Sequence, residues 1–274
     1  MKNLTIFAVT ALLAVFAIFT AVTAHAKSKL VIEGSTTVLP IAQQTAEAFM
    51  SINPDADISV RGGGSGVGIT SLIEGTCDIA DSSRPIKDGE LQTAAGKGIS
   101  PKANVVAMDG IAVIVHAGNP VSHLTKAQLK DIYTGKISDW SKLGGTPGKI
   151  VVISRDSASG TFEAFGALAL GGSKVRPDAL MQASNQAIAS IIAKAPGAIG
   201  YVGLGYTSEL VKILLIDNVV PSKKTVLNGQ YPLSRPLFMY TNGKPKGAAK
   251  QYIDFVLSAE GQKLVEEAGF IGLK

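Results

Sequence analysis

The sequence has almost no cysteine: Cys77 stands alone among 274 residues. That excludes an intrachain disulfide and a thiolate metal cluster. Cys77 reads as a small buried thiol. A catalytic thiol would need a histidine partner, and beyond residue 26 only His116 and His123 remain. Aromatic residues are sparse at 6%. The basic residues are scattered, with no stripe and no interleaved aromatics, so nucleic acid is a poor partner. No run of 18 or more apolar residues occurs after the first segment, which excludes a later membrane span. No grouping of His, Cys, Asp and Glu has metal-ligand spacing.

What the chain does have begins at its start. Lys2 is followed by an apolar stretch over residues 4–22, broken by Thr5, Thr10 and Thr20, and then by Ala24-His25-Ala26. A positive start, an apolar core and small residues at the end describe a secretory signal peptide, residues 1–26, cleaved after Ala26. No Cys follows to carry an acyl anchor. The expectation is a soluble protein outside the cytoplasm. The formal net charge of +5 falls by one when Lys2 is removed, and an excess of positive charge favours encounter with a small anion. The remaining length fits two modest domains.

Strand and helix patterns alternate along the chain. Strands are expected over 29–33, 57–61, 78–81, 105–108, 111–116, 150–154, 199–202 and 211–216, with residues 237–240 extended. Helices are expected over 38–50, 90–95, 125–133, 161–170, 187–195, 248–257 and 262–268, with another running from a Gly-rich loop at 62–68 to Glu74. This βαβα order argues for α/β layers with largely parallel sheets. Residues 27–110 with 237–274 are expected to form one lobe and 111–236 the other. Extended crossings near 111–116 and 237–240 would join them, leaving a cleft for a small ligand.

Three segments share one design: Ser, Thr or Gly placed directly ahead of a helix. They are Gly34-Ser35-Thr36-Thr37, Gly62-Gly63-Gly64-Ser65-Gly66, and Arg155-Asp156-Ser157-Ala158-Ser159-Gly160-Thr161. A helix start leaves its first N–H groups unpaired, and these with the macrodipole favour a negative ligand. Glycine lets the backbone approach closely, and hydroxyls turn to suit any oxygen. Arg155 can add a charge-assisted, bidentate bond. Each segment alone also fits a plain N-cap. Three together, one carrying an arginine, point to a tetrahedral oxyanion held from several sides.

With Pro40 and the stretch Gly197-Ala198-Ile199-Gly200-Tyr201-Val202, these segments make the chain resemble, over nearly its whole mature length, the phosphate-binding protein of the high-affinity phosphate ABC transporter, the PstS family. The Arg155 stretch is the most specific part of the likeness. The resemblance implies an α/β, two-lobe periplasmic-binding-protein-like fold (type II) with the ligand cleft between lobes. It implies phosphate binding by Ser159, Gly160 and Thr161 at a helix start, by Arg155, by Ser65, and by donors among Ser35, Thr36 and Thr37. It also implies delivery to a membrane permease by a periplasmic monomer, without cofactor, metal or catalysis. One departure stands out. Many members place an Asp after the short third strand, where it accepts a proton from the anion. Here the stretch is Asp81-Ser82-Ser83-Arg84-Pro85, with Ser83 at that position. A buried carboxylate would reject an anion that has no proton to donate, such as sulfate, whereas Ser83 can donate or accept. Arg84 is a second positive candidate or a member of a surface or interlobe ion pair, and Asp81 is expected to face a backbone donor or Arg84.

The alternatives are a carrier of sulfate, molybdate or tungstate, a Ser-dependent phosphoester hydrolase, and an adhesin on the same fold. The hydrolase lacks support. Val67 stands where a nucleophile elbow requires glycine, no Gly-Lys pair is followed by Ser or Thr, and Glu266 and Glu267 point apart on adjacent helix positions. Nothing in the sequence favours the adhesin.

Overall fold

The computed structural model describes residues 28–273. The expected signal peptide, residues 1–26, lies outside the described residues.

The strands are β1 (Ser28–Gly34), β2 (Ala56–Arg61), β3 (Ile79–Ser82), β4 (Pro101–His116), β5 (His123–Leu124), β6 (Val151–Arg155), β7 (Leu180–Gln182), β8 (Ala198–Gly203), β9 (Val211–Ile213), β10 (Leu215–Ile216) and β11 (Ser234–Asn242). The helices are α1 (Leu39–Ile52), α2 (Ser65–Ile73), α3 (Asp88–Gly96), α4 (Lys126–Thr134), α5 (Gly160–Leu168), α6 (Asn185–Ile192), α7 (Lys223–Leu227), α8 (Gly247–Leu257) and α9 (Ala259–Glu267).

One path of strands runs β2-β1-β3-β11-β4-β8-β6-β7, with β9 also on β4. Its two flanks are parallel, β2/β1/β3 and β8/β6/β7. Its middle is antiparallel, because β11 and β4 pair with their neighbours and each other head to tail. The expected largely parallel sheet is therefore corrected to a mixed one. Parallel pairs need helical crossovers, and these occur only on the flanks.

Two apolar cores lie along this path. One is built from the two ends of the sequence: Leu30, Ile32, Ile41, Phe49 and Val106 with Leu237, Met239, Tyr252 and Val265. The other comes from the middle and includes Ile111, Val113, Tyr133, Phe165, Tyr201 and Leu233. The chain passes from the first core to the second between Ala107 and Ile111, and returns between Leu233 and Leu237. The expected strands 105–108 and 111–116 are one continuous strand of 16 residues. Its first part pairs with β11, with a bulge at Val106, and its second with β8. Alternation explains its full burial over residues 111–115. Ile111, Val113 and Val115 enter one core, and Ala112 and Ile114 a third cluster with Ile188 and Ile192.

Other expectations shift locally. The stretch 211–216 divides into β9 and β10, which join different strands. The glycine-rich loop ends earlier than expected, because α2 already begins at Ser65. Strands β5 and β7 and helix α7 carry too few residues for a periodic signal. Among the described residues, no helix is long and apolar enough to cross a membrane.

Candidate functional site

Each of the three segments uses a serine oxygen to take up backbone N–H groups. Ser35 Oγ accepts from the N–H of Thr37 at 3.1 Å and of Val38 at 3.4 Å. Ser159, the N-cap of α5, accepts from Phe162 N–H at 3.2 Å. Ser65 Oγ accepts from Ser83 N–H at 3.0 Å, tying the start of α2 to the end of β3. A hydroxyl that accepts from an N–H keeps its own proton for another acceptor.

The three starts meet where the two cores face each other. Thr37 Oγ1 lies 2.8 Å from Thr161 Oγ1, joining residues 124 positions apart. Gly66 N–H donates to Ala158 O at 3.0 Å. Ser65 Oγ and Ser83 Oγ are 3.4 Å apart. Gly160 sits against both: a Cβ there would lie 2.2 Å from Ser65 Oγ and 2.8 Å from Ser83 Oγ. Gly64, with φ +105°, faces Ala158 O so closely that a Cβ would fall 2.5 Å away. Thr36, Thr37, Ser65, Ser83, Gly160 and Thr161 are thus brought together and buried. Ser35 and Ser159 are buried at their own helix starts, with their oxygens engaged in capping.

Arg155 closes β6 and is buried. Its backbone N–H donates to Tyr201 Oη at 3.2 Å, and Tyr201 also meets Ser154 Oγ at 2.9 Å and stacks on Phe165. Its guanidinium donates from Nε to Gln182 O at 3.1 Å and from Nη2 to Ala183 O at 2.9 Å. Nη1 is buried without a hydrogen-bond partner. Burial lowers its pKa, Tyr201 and Asp156 oppose that, and Arg235 adds to the lowering. A guanidinium remains charged through the physiological range regardless. A buried cation with one donor face unused is suited to an anion.

Arg84 behaves as an ion pair. Its Nη2 lies 2.7 Å from Glu90 Oε1. Its Nε lies 2.9 Å from Glu163 Oε2, at an angle too poor for a hydrogen bond. Lys87 Nζ reaches Glu163 Oε1 at 2.9 Å. These contacts join α3 to α5 across the cleft. Asp81 needs a correction: it faces neither Arg84 nor a backbone donor. Both its carboxylate oxygens are buried without a partner, and burial raises its pKa well above the usual range. Its alternation with Ile79 turns it into the core of the chain ends.

The second positive group at the cleft is Arg235, which sequence reasoning missed. It is buried at the return between cores, where Nη2 and Nε hold Asp109 Oδ2 at 2.8 and 3.0 Å. Nη1 donates to Ser83 O at 3.2 Å, and Nη2 also to Thr37 Oγ1 at 3.3 Å. Asp109 accepts in addition from Leu204 N–H at 3.0 Å; burial raises its pKa and Arg235 opposes the rise. Asn185 was missed as well. Its Nδ2 donates to Thr36 Oγ1 and Thr37 Oγ1, each at 3.1 Å, and its Oδ1 accepts from Gly203 N–H at 3.2 Å. A signal existed for both. Ser184-Asn185 is another polar helix start, and Arg235 is a charge inside an apolar extended stretch.

His116 Nδ1 accepts from Gly118 N–H, and His123 lies in β5. Cys77 is buried against Gly68 O, and burial pushes its thiol up to about 12. Among the described residues, no group of three or more His, Cys, Asp or Glu could hold a metal ion.

The PBP superfamily domain matches residues 21–260. The chain is 38% identical over 251 residues to the phosphate-binding protein PstS of Bacillus subtilis, covering 90% of this chain and 81% of that protein. It is 32% identical to the phosphate-binding protein PstS of Borreliella burgdorferi, covering 89% of each. A crystal structure of a phosphate ABC transporter substrate-binding protein from Clostridium perfringens, with bound phosphate, superposes with a TM-score of 0.85. That protein is 37% identical, and the match covers 90% of this chain and all of that one. The fold, the meeting of the three helix starts and these likenesses agree that the chain belongs to the PBP superfamily and, within it, to the PstS family of phosphate-binding proteins.

Proposed function

We propose that this protein binds inorganic phosphate outside the cytoplasm and delivers it, as a monomer, to the membrane permease of an ABC importer, without chemistry on the anion. The observation that carries the reading is the convergence of hydroxyls from the three helix starts, with the buried Nη1 of Arg155 left without a protein partner. A bond to a charged group contributes roughly 1.5–3 kcal/mol net. A few such bonds suffice for micromolar affinity, about 8 kcal/mol. Lobes of residues 27–110 with 237–274 and of 111–236 would swing about the passages between the two cores, a hinge closure around ligand. The pairs of Glu163 with Arg84 and Lys87 would form on closing.

Ser83 favours a second reading, a carrier of another tetrahedral oxyanion such as sulfate, because among the described residues Ser65 and Ser83 bond each other and no carboxylate that would demand a proton from the ligand. A hydrolase reading finds no support, since neither His116 nor His123 bonds Ser65 or Ser159. Calorimetric competition between phosphate, sulfate and molybdate decides among these. Stoichiometric phosphate uptake with weaker sulfate and molybdate supports the proposal, and a preference for either rival anion overturns it.

A further inference from the structure

The hydrogen bonds around Thr37 have a consequence for Thr161. A threonine hydroxyl has two lone pairs and one proton. At Thr37 Oγ1 both lone pairs face N–H donors, Asn185 Nδ2 at 3.1 Å and Arg235 Nη2 at 3.3 Å. Neither donor can reverse its role. A guanidinium accepts nothing, and the Asn185 amide is held with Oδ1 on Gly203 N–H, so its NH₂ must face the threonines. The Thr37 proton is then left for its remaining neighbour, Thr161 Oγ1, at 2.8 Å. Thr161, accepting from Thr37, must direct its own proton elsewhere.

We propose that Asn185 and Arg235 are positioning residues that set hydroxyl polarity. By filling the acceptor sites of Thr37, they make Thr37 a donor to Thr161 and Thr161 a donor to the bound anion. The inference rests on the phosphate reading and deepens it: it states how two side chains outside the three helix starts make a neutral hydroxyl act with one sign. Asp109 has its part in this, because its carboxylate fixes Arg235 by two bonds to Oδ2 and keeps the guanidinium aimed at Thr37. Without these donors, Thr37 and Thr161 could point their protons either way, and an anion would meet a lone pair part of the time.

A double-mutant cycle on the full chain tests this, with inorganic phosphate titrated calorimetrically and the ligand-free melt as a folding control. Asn185→Leu removes the donor. It is expected to weaken phosphate binding tenfold or more in the native background and less than twofold in a Thr161→Val background, where no proton remains to be oriented. A residue that only latched the two halves together would cost the same in both backgrounds, and equal losses overturn the inference. Asn185→Asp keeps the acceptor for Gly203 N–H and covers the case in which Asn185→Leu does not fold. Its added charge repels the anion in either background, but its loss should still be at least fivefold smaller beside Thr161→Val, and an unchanged loss again overturns the inference. No phosphate uptake by the unsubstituted chain overturns the phosphate reading and this inference with it, whereas uptake with equal losses overturns the polarity inference alone.

Discussion

Arg155→Ala is the sharpest single perturbation of the site. The side chain has three functional directions. Two end on backbone carbonyls, Gln182 O and Ala183 O, and the third, Nη1, has no protein partner. Truncation removes one charge-assisted bond to the anion, about 1.5–3 kcal/mol. At about 1.4 kcal/mol per factor of ten, that is a loss of about ten- to a hundredfold in phosphate affinity. A second effect adds to it. Gln182 and Ala183 directly precede Ser184, the cap of α6, so the loss of Arg155 also loosens the turn that presents Asn185. The fold itself should survive, because Tyr201, Phe165 and Tyr133 pack as a ring cluster under β6 without the guanidinium. Titration calorimetry with phosphate reads the affinity, and a thermal melt of the ligand-free protein reads the fold. Unchanged affinity in a cooperatively melting variant would refute the assignment of Arg155 to the anion.

Gly160→Ala should reduce phosphate affinity by a hundredfold or more while leaving the ligand-free melt unchanged, since the added Cβ would strike Ser65 Oγ and Ser83 Oγ only when the two halves meet; normal binding would sink that account. Ser83→Asp supplies a proton acceptor beside Ser65, so the preference for phosphate over sulfate should rise tenfold or more in a competition titration at neutral pH, and an unaltered ratio would count against the role given to Ser83. Asp81→Asn tests the buried carboxyl. Burial raises its folded pKa, whereas the unfolded group titrates near about 4. Above that pH the unfolded chain binds fewer protons than the folded one, so Asp81 costs stability increasingly as pH rises toward its folded pKa. The variant should therefore gain melting temperature over the parent, and gain more at pH 8 than at pH 5; an equal gain at both would refute the unpaired burial of Asp81.

The local parts of this protein were legible in its sequence because local physics decides them. Thr125 and Ser159 stand at helix N-caps, and each accepts a backbone N–H bond from the residue three positions on. Such contacts depend on neighbours in the chain and on hydroxyl chemistry alone. The same holds for the three polar helix starts. The sense of the sheet was not legible. β4 reads as two short apolar runs, and only β11 on one part and β8 on the other make it one strand.

The site divides in the same way. Hydroxyls and Arg155 could be nominated from composition and spacing, because an anion needs donors and helix starts supply them. That Arg235, and not Arg84, becomes the second cation at the cleft was decided by tertiary structure. Arg84 finds Glu90 and Glu163, whereas Arg235 reaches Asp109 from 126 positions away and is carried by that pair to Thr37 and Ser83. Asn185 likewise bonds Thr36 across 149 positions. No local rule relates such residues. A hydrogen bond is set by a few tenths of an ångström between atoms, and the folding of the whole sheet brings these atoms within that range.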